Sequence, residues 1–107
     1  MFQDKLKAFS QSVSGISGEV FHYRRTKLPP PYTVWQEEGA DSMPANNSVV
    51  EQNPSGTLDY YTKQEYDPRV DEIQTVLTDA PVSWYLNSVQ YEEDTGIIHY
   101  EWVWFCS

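Results

Sequence analysis

The last quarter of the chain, Val82 to Phe105, leaves the fewest folding choices open. Before Glu92-Glu93-Asp94-Thr95-Gly96, residues Val82, Trp84 and Leu86 alternate with Ser83, Tyr85 and Asn87; after it, Ile98, Tyr100, Trp102 and Trp104 alternate with Ile97, His99, Glu101 and Val103. Period two on both sides of a polar turn predicts a β-hairpin. Gly96 sits where a longer hairpin loop needs a residue at positive φ, which glycine adopts without steric penalty. The even-numbered face of the final strand is almost entirely aromatic. Burying each such side chain is worth roughly 1.5–3 kcal/mol, so this face demands a cover that the rest of the chain must supply.

Two amphipathic helices are available. Phe2, Leu6, Phe9 and Val13 recur at helical spacing over residues 2–13, and Ser14-Gly15 and Ser17-Gly18 end that segment. Asp67-Pro68 opens a second helix running to about Thr78. Its aspartate is placed to cap orphan amides and its proline is preset for the first helical position, while Val70, Ile73, Val76 and Leu77 share one face. Asp79-Ala80-Pro81 stops it. Alternation over Tyr32 to Glu37, just after Pro29-Pro30-Pro31, and over Gly56 to Lys63 predicts two further strands. Val20 to Tyr23 reads as a short strand or an extended segment. The order α-β-β-α-β-β predicts a single α+β domain over residues 1–107. It is a two-layer sandwich, with a four-stranded mainly antiparallel sheet and both helices on one face. Trp102 and Trp104 should lie buried with Leu6, Phe9, Ile73 and Leu77. Between the first two main strands, about residues 38–55, the composition is too polar to bury and predicts an interaction arm or a floppy hairpin connection.

A chain of 107 residues builds one core. Sixteen acidic residues against seven Lys and Arg give a formal net charge of −9, which argues against a surface that binds nucleic acid by neutralising phosphates. Arg24-Arg25-Thr26-Lys27 is the densest basic run and is too small for a DNA-binding face. The single cysteine, Cys106, excludes an internal disulfide and a cysteine-based zinc site, and its aromatic strand marks it as a small hydrophobe. No apolar run approaches the ~18 residues of a membrane span, and the N-terminus lacks the apolar core of a signal peptide, so the expectation is a protein that is cytosolic where it is made. Asn46-Asn47-Ser48 matches a glycosylation acceptor and reads as a polar loop.

The grouping of His99 and Glu101 on one strand face, with His22 close enough to be drawn in by the fold, is the main candidate for a metal or general-base site. A strand-face histidine beside a glutamate more commonly forms a solvated or interface pair. Glu37-Glu38 and Glu92-Glu93-Asp94 lack the ligand spacing of a calcium loop and read as solvated turns. Phosphate-cradling glycines, a nucleophile elbow and a Cys-His arrangement are all missing from the sequence. No catalytic, cofactor-binding or metal-ligating residue is therefore assigned, and the expectation is a protein that is not an enzyme. Eight tyrosines and four tryptophans exceed what one covered sheet face absorbs, which leaves rims of the core or a protein interface for the surplus.

The chain resembles the tail terminator (tail completion) proteins of long-tailed bacteriophages and prophages. The resemblance is carried by the N-terminal amphipathic helix, the run Pro30-Pro31-Tyr32-Thr33-Val34-Trp35, the polar Ala45-Asn46-Asn47, the strand Leu58-Asp59-Tyr60-Tyr61-Thr62-Lys63, the helix opened by Asp67-Pro68, and the closing aromatic hairpin. It implies a small α+β subunit of a homo-oligomeric, hexameric ring that caps the tail tube, with the tail tube protein and a head-completion or connector protein as partners. DNA would pass through without specific binding, no membrane would be involved, and the protein would move from the host cytoplasm during assembly to the virion tail or neck. Subunit contacts are then expected from the arm, through Met43, Asn46, Asn47, Val49 and Val50, on one side and from the outward strand face bearing Tyr61 or Tyr85 on the other. A stand-alone ligand-binding or regulatory module without catalytic activity is the alternative.

Overall fold

The computed structural model describes residues 1–23, 28–42 and 52–107. Helix α1 spans Phe2–Val13 and α2 Pro68–Asp79; the strands are β1 Val20–His22, β2 Tyr32–Ser42, β3 Gln52–Thr62, β4 Val82–Glu92 and β5 Ile97–Cys106. The strands form a single sheet in the order β1-β2-β3-β5-β4, so the closing strand β5 lies inside the sheet and β4 at its edge.

The expected four-stranded, mainly antiparallel sheet is corrected by this topology. Val20–His22 adds a fifth strand, and it pairs parallel to β2, with Val20 opposite Thr33 and His22 opposite Trp35. The sheet is mixed, although the α+β class stands. Backbone bonds from the Thr33 amide to the Glu19 carbonyl (2.9 Å) and from the Tyr23 amide to the Trp35 carbonyl (2.8 Å) continue the pairing on either side. Stacking of the His22 ring on Trp35, with centroids 3.7 Å apart, supplies side-chain contact that three residues of backbone pairing lack. So short a strand shows no period, which is why its sequence reads equally well as extended coil.

Strands β2 and β3 also run further than their alternating segments suggest. Ladder pairing continues through Ala40 opposite Pro54 to Ser42 opposite Gln52, beyond a bulge at Glu38. Pro54 lies one residue past the end of the β3–β5 ladder, which closes at Ser55 opposite Phe105, so its missing N–H interrupts no bond on that side. Polar residues are tolerated here because the hairpin satisfies backbone groups without requiring side-chain burial.

The core lies between the helices and the face carrying Trp35, Leu58, Tyr60, Trp102 and Trp104. Leu6, Phe9, Ile73 and Leu77 pack into it as expected. Phe9 stacks on Trp104 at 4.1 Å and meets Trp35 edge-on at 5.4 Å, so α1 is anchored by aromatic contacts. Gly56 is required beneath Trp104: a Cβ there would stand 1.9 Å from the Gln36 carbonyl oxygen. The α2 cap ties that helix to the sheet. Asp67 Oδ1 accepts from the Arg69 amide (2.9 Å), while Oδ2 accepts from the Tyr60 hydroxyl (2.5 Å) and the Thr62 hydroxyl (2.8 Å). Burial, followed by the hydrogen bond to Asp67, pushes the Tyr60 pKa up to about 12. Burial also acts to raise that of Asp67, but the donated hydrogen bonds outweigh it and hold the carboxyl below its ordinary value.

Candidate functional site: the open face of the sheet

Alternation that sends Tyr60 and Trp102 into the core turns their neighbours Asp59, Tyr61, His99 and Glu101 to the opposite face. Register brings them together: Tyr32 stands opposite Tyr61, Tyr61 opposite His99, and Asp59 opposite Glu101. The Tyr61 ring lies between two others, 4.7 Å from Tyr32 and 4.2 Å from His99, tilted only 15° from the imidazole. His99 Nε2 is 2.7 Å from Asp59 Oδ1. A second bulge, between Leu86 and Ser88, leaves Asn87 unpaired in the ladder, and its amide donates to Glu101 Oε1 at 2.8 Å. The group borders a shallow cavity of about 210 Å³ that Gln36, Glu38 and Thr57 also line. Asp59, His99 and Glu101 offer one imidazole nitrogen and two carboxylates whose ligating atoms lie within 4.8 Å of one another.

His22 does not join this group. Opposite Trp35 it belongs to the helix side of the sheet, where its ring stacks between Tyr23 (3.8 Å) and Trp35 (3.7 Å). Its Nε2 is 2.7 Å from Glu37 Oε1, and the Tyr23 hydroxyl donates to Glu37 Oε2 at 2.6 Å. For Glu37, desolvation acts to raise the pKa, but the hydrogen bonds from Tyr23 and His22 outweigh it and lower it overall. Glu37 is therefore a paired strand residue, whereas Glu92 ends β4 and Glu93 and Asp94 occupy an exposed turn that Gly96 closes at φ 74°. Cys106 is also on the helix side, buried, with its thiol pKa raised by burial, so it supplies no thiolate to the imidazole of His99.

Of the expected contact residues, Tyr61 and Tyr85 lie on the open face; Tyr85 is half exposed and has Phe105 as a ring neighbour at 6.2 Å. Met43, Asn46, Asn47, Val49 and Val50 lie outside the described residues. The sequence reading missed two features. Asp59 is the partner of His99, yet only the β3–β5 register reveals it, since α2 and β4 separate those strands in sequence. The edge strand β4 also leaves Leu86, Val89 and Tyr91 exposed on the helix side, beyond the cover the helices provide. An 11-residue edge with large apolar side chains and acid only at its end carries little protection against pairing with another chain beyond its one bulge.

No protein-family model matches the chain, and no curated protein sequence matches it. Among solved structures it is similar to a chain in the virion of a native gene transfer agent (GTA) particle, with 12% identity and a TM-score of 0.50, over 96% of this chain and 87% of that one. At that identity the likeness is one of fold. Among the described residues, no helix is long and apolar enough to cross a membrane.

Proposed function

We propose that this chain is a structural protein of a phage-like particle and, within that class, a tail terminator that forms a ring on the tail tube and joins the tail to the head. The observation that carries the general reading is the shared fold with a GTA virion chain over nearly the whole of both. The finer role rests on the resemblance of the sequence elements to tail terminators. It also draws on a long β2–β3 ladder and an exposed, apolar β4 edge, surfaces suited to holding a neighbouring subunit. In this reading the protein acts by assembling, without catalysis, and its net charge of −9 keeps passing DNA from sticking. The tail tube protein and a head-completion or connector protein are its partners, and a hexameric ring is its working form.

Mass measurement in solution and particle imaging of the purified chain test this directly, alongside particle assembly with residues 42–50 deleted. Closed rings are expected, and the deletion should give overlong or unattached tails. A chain that stays monomeric at all concentrations and an arm deletion that leaves particles intact would overturn the ring reading and favour a small ligand-binding module.

A further inference from the structure

The His99–Asp59 contact alone has the form of a surface ion pair, but it leaves Glu101 unexplained. Asp59 and Glu101 stand directly opposite each other on adjacent strands, an arrangement in which like charges repel. We propose that Asp59, His99 and Glu101 bind a divalent transition-metal ion on the open face of the sheet, whose two positive charges balance both carboxylates.

The donor set selects the class of metal. One imidazole nitrogen with two carboxylates suits zinc, cobalt, manganese or ferrous iron, whereas calcium takes six to eight oxygens. Metal–ligand bonds of about 2.0–2.2 Å place neighbouring donors about 3–3.5 Å apart. The His99–Asp59 pair at 2.7 Å must open slightly, and the remaining donors, all within 4.8 Å, must close. Side-chain rotation achieves both, because the three residues are only partly buried and the backbone register already sets their spacing. On binding, His99 Nε2 presents its lone pair to the metal and the imidazole carries its proton on Nδ1. Neighbouring groups hold two ligands in position: Tyr61 stacks on the His99 ring, and the Asn87 amide orients Glu101. The remaining coordination positions face the cavity and take water or a donor from another molecule.

The inference is independent of the ring reading, and its test uses the full chain and metal alone. Cobalt(II) titrated at about pH 7.5, where neutral imidazole ligates, should produce a saturable visible absorption band at one equivalent that zinc(II) displaces. Zinc should move the His99 ring resonances before those of His22. Asp59→Asn, His99→Gln and Glu101→Gln should each weaken binding at least roughly tenfold, while His22→Gln leaves it unchanged. Absence of saturable binding, binding indifferent to all three substitutions, or zinc shifts confined to His22 would overturn the proposal. If His99→Gln fails to fold, the native-chain resonances and the Asp59→Asn titration decide.

Discussion

One sheet presents two faces made of adjacent residues and unlike chemistry. On the helix side, Trp102, Trp104, Tyr60 and Leu58 are completely buried, and their few polar atoms include the Trp102 indole nitrogen, which donates to Gln74 at 3.1 Å. On the open side, Glu101, His99, Asp59 and Tyr61 remain partly exposed and interact through charge, hydrogen bonds and ring stacking. Successive side chains of a strand point to opposite faces, so one backbone serves stability on one side and recognition on the other. Neighbouring substitutions should then have separable effects.

The largest effect is expected at the helix face. Trp102→Ala removes a fully buried indole at a cost of about 3–5 kcal/mol, a large share of a small domain's stability, and should prevent folding. A soluble variant with a cooperative thermal transition would show that this face does not carry the core. Gly56→Ala comes next. Its Cβ meets the β2 backbone, so strands β2 and β3 must separate, and denaturant titration should register a loss of about 1–3 kcal/mol or more.

Tyr60→Phe probes the seam between sheet and helix. Loss of a hydrogen bond to a charged carboxylate should cost about 1.5–3 kcal/mol, measured by chemical unfolding at neutral pH. Because the Tyr60 pKa is raised from its ordinary 10 to about 12, its contribution is complete below pH 10 and is lost as pH rises through about 12. The phenylalanine variant should therefore show a flatter alkaline stability profile than the native chain. Asp67 provides the acid counterpart. Its pKa is lowered, so its contribution is present above the ordinary carboxylate value of about 4 and falls away as pH drops below it, and Asp67→Asn should flatten that limb.

The smallest effect on folding is expected on the open face. Glu101→Gln, next in sequence to Trp102, should change stability in metal-free buffer by no more than about 0.5 kcal/mol, and relief of the Asp59–Glu101 repulsion should make the change favourable if anything. A loss comparable to that of Tyr60→Phe would break the division between the faces.

The parts of this fold visible in the sequence are those whose side chains face one way. The closing hairpin, both helices and the burial of Trp102 and Trp104 follow from apolar spacing, and Asp67-Pro68 marks the start of α2 because capping is a local interaction. Strand β1 has no legible place in the sequence because three residues carry no period and parallel pairing with β2 leaves no turn signature. Ala40 and Pro54 pair without a hydrophobic pattern, so the full length of the β2–β3 ladder was hidden as well. Two of the three residues of the His99 group are readable: His99 and Glu101 share a strand, whereas Asp59 arrives through a register that no short connection specifies.

The exposed edge of β4 has a colloidal consequence. Its outward amides and carbonyls, which no other described strand pairs, together with Leu86, Val89 and Tyr91, make it adhesive toward another strand, including that of an identical molecule. Long-range repulsion from a charge of −9 opposes such pairing, and salt at about 0.1 M confines that repulsion to about 10 Å. Adding salt to a dilute solution of this protein should therefore draw copies together rather than disperse them.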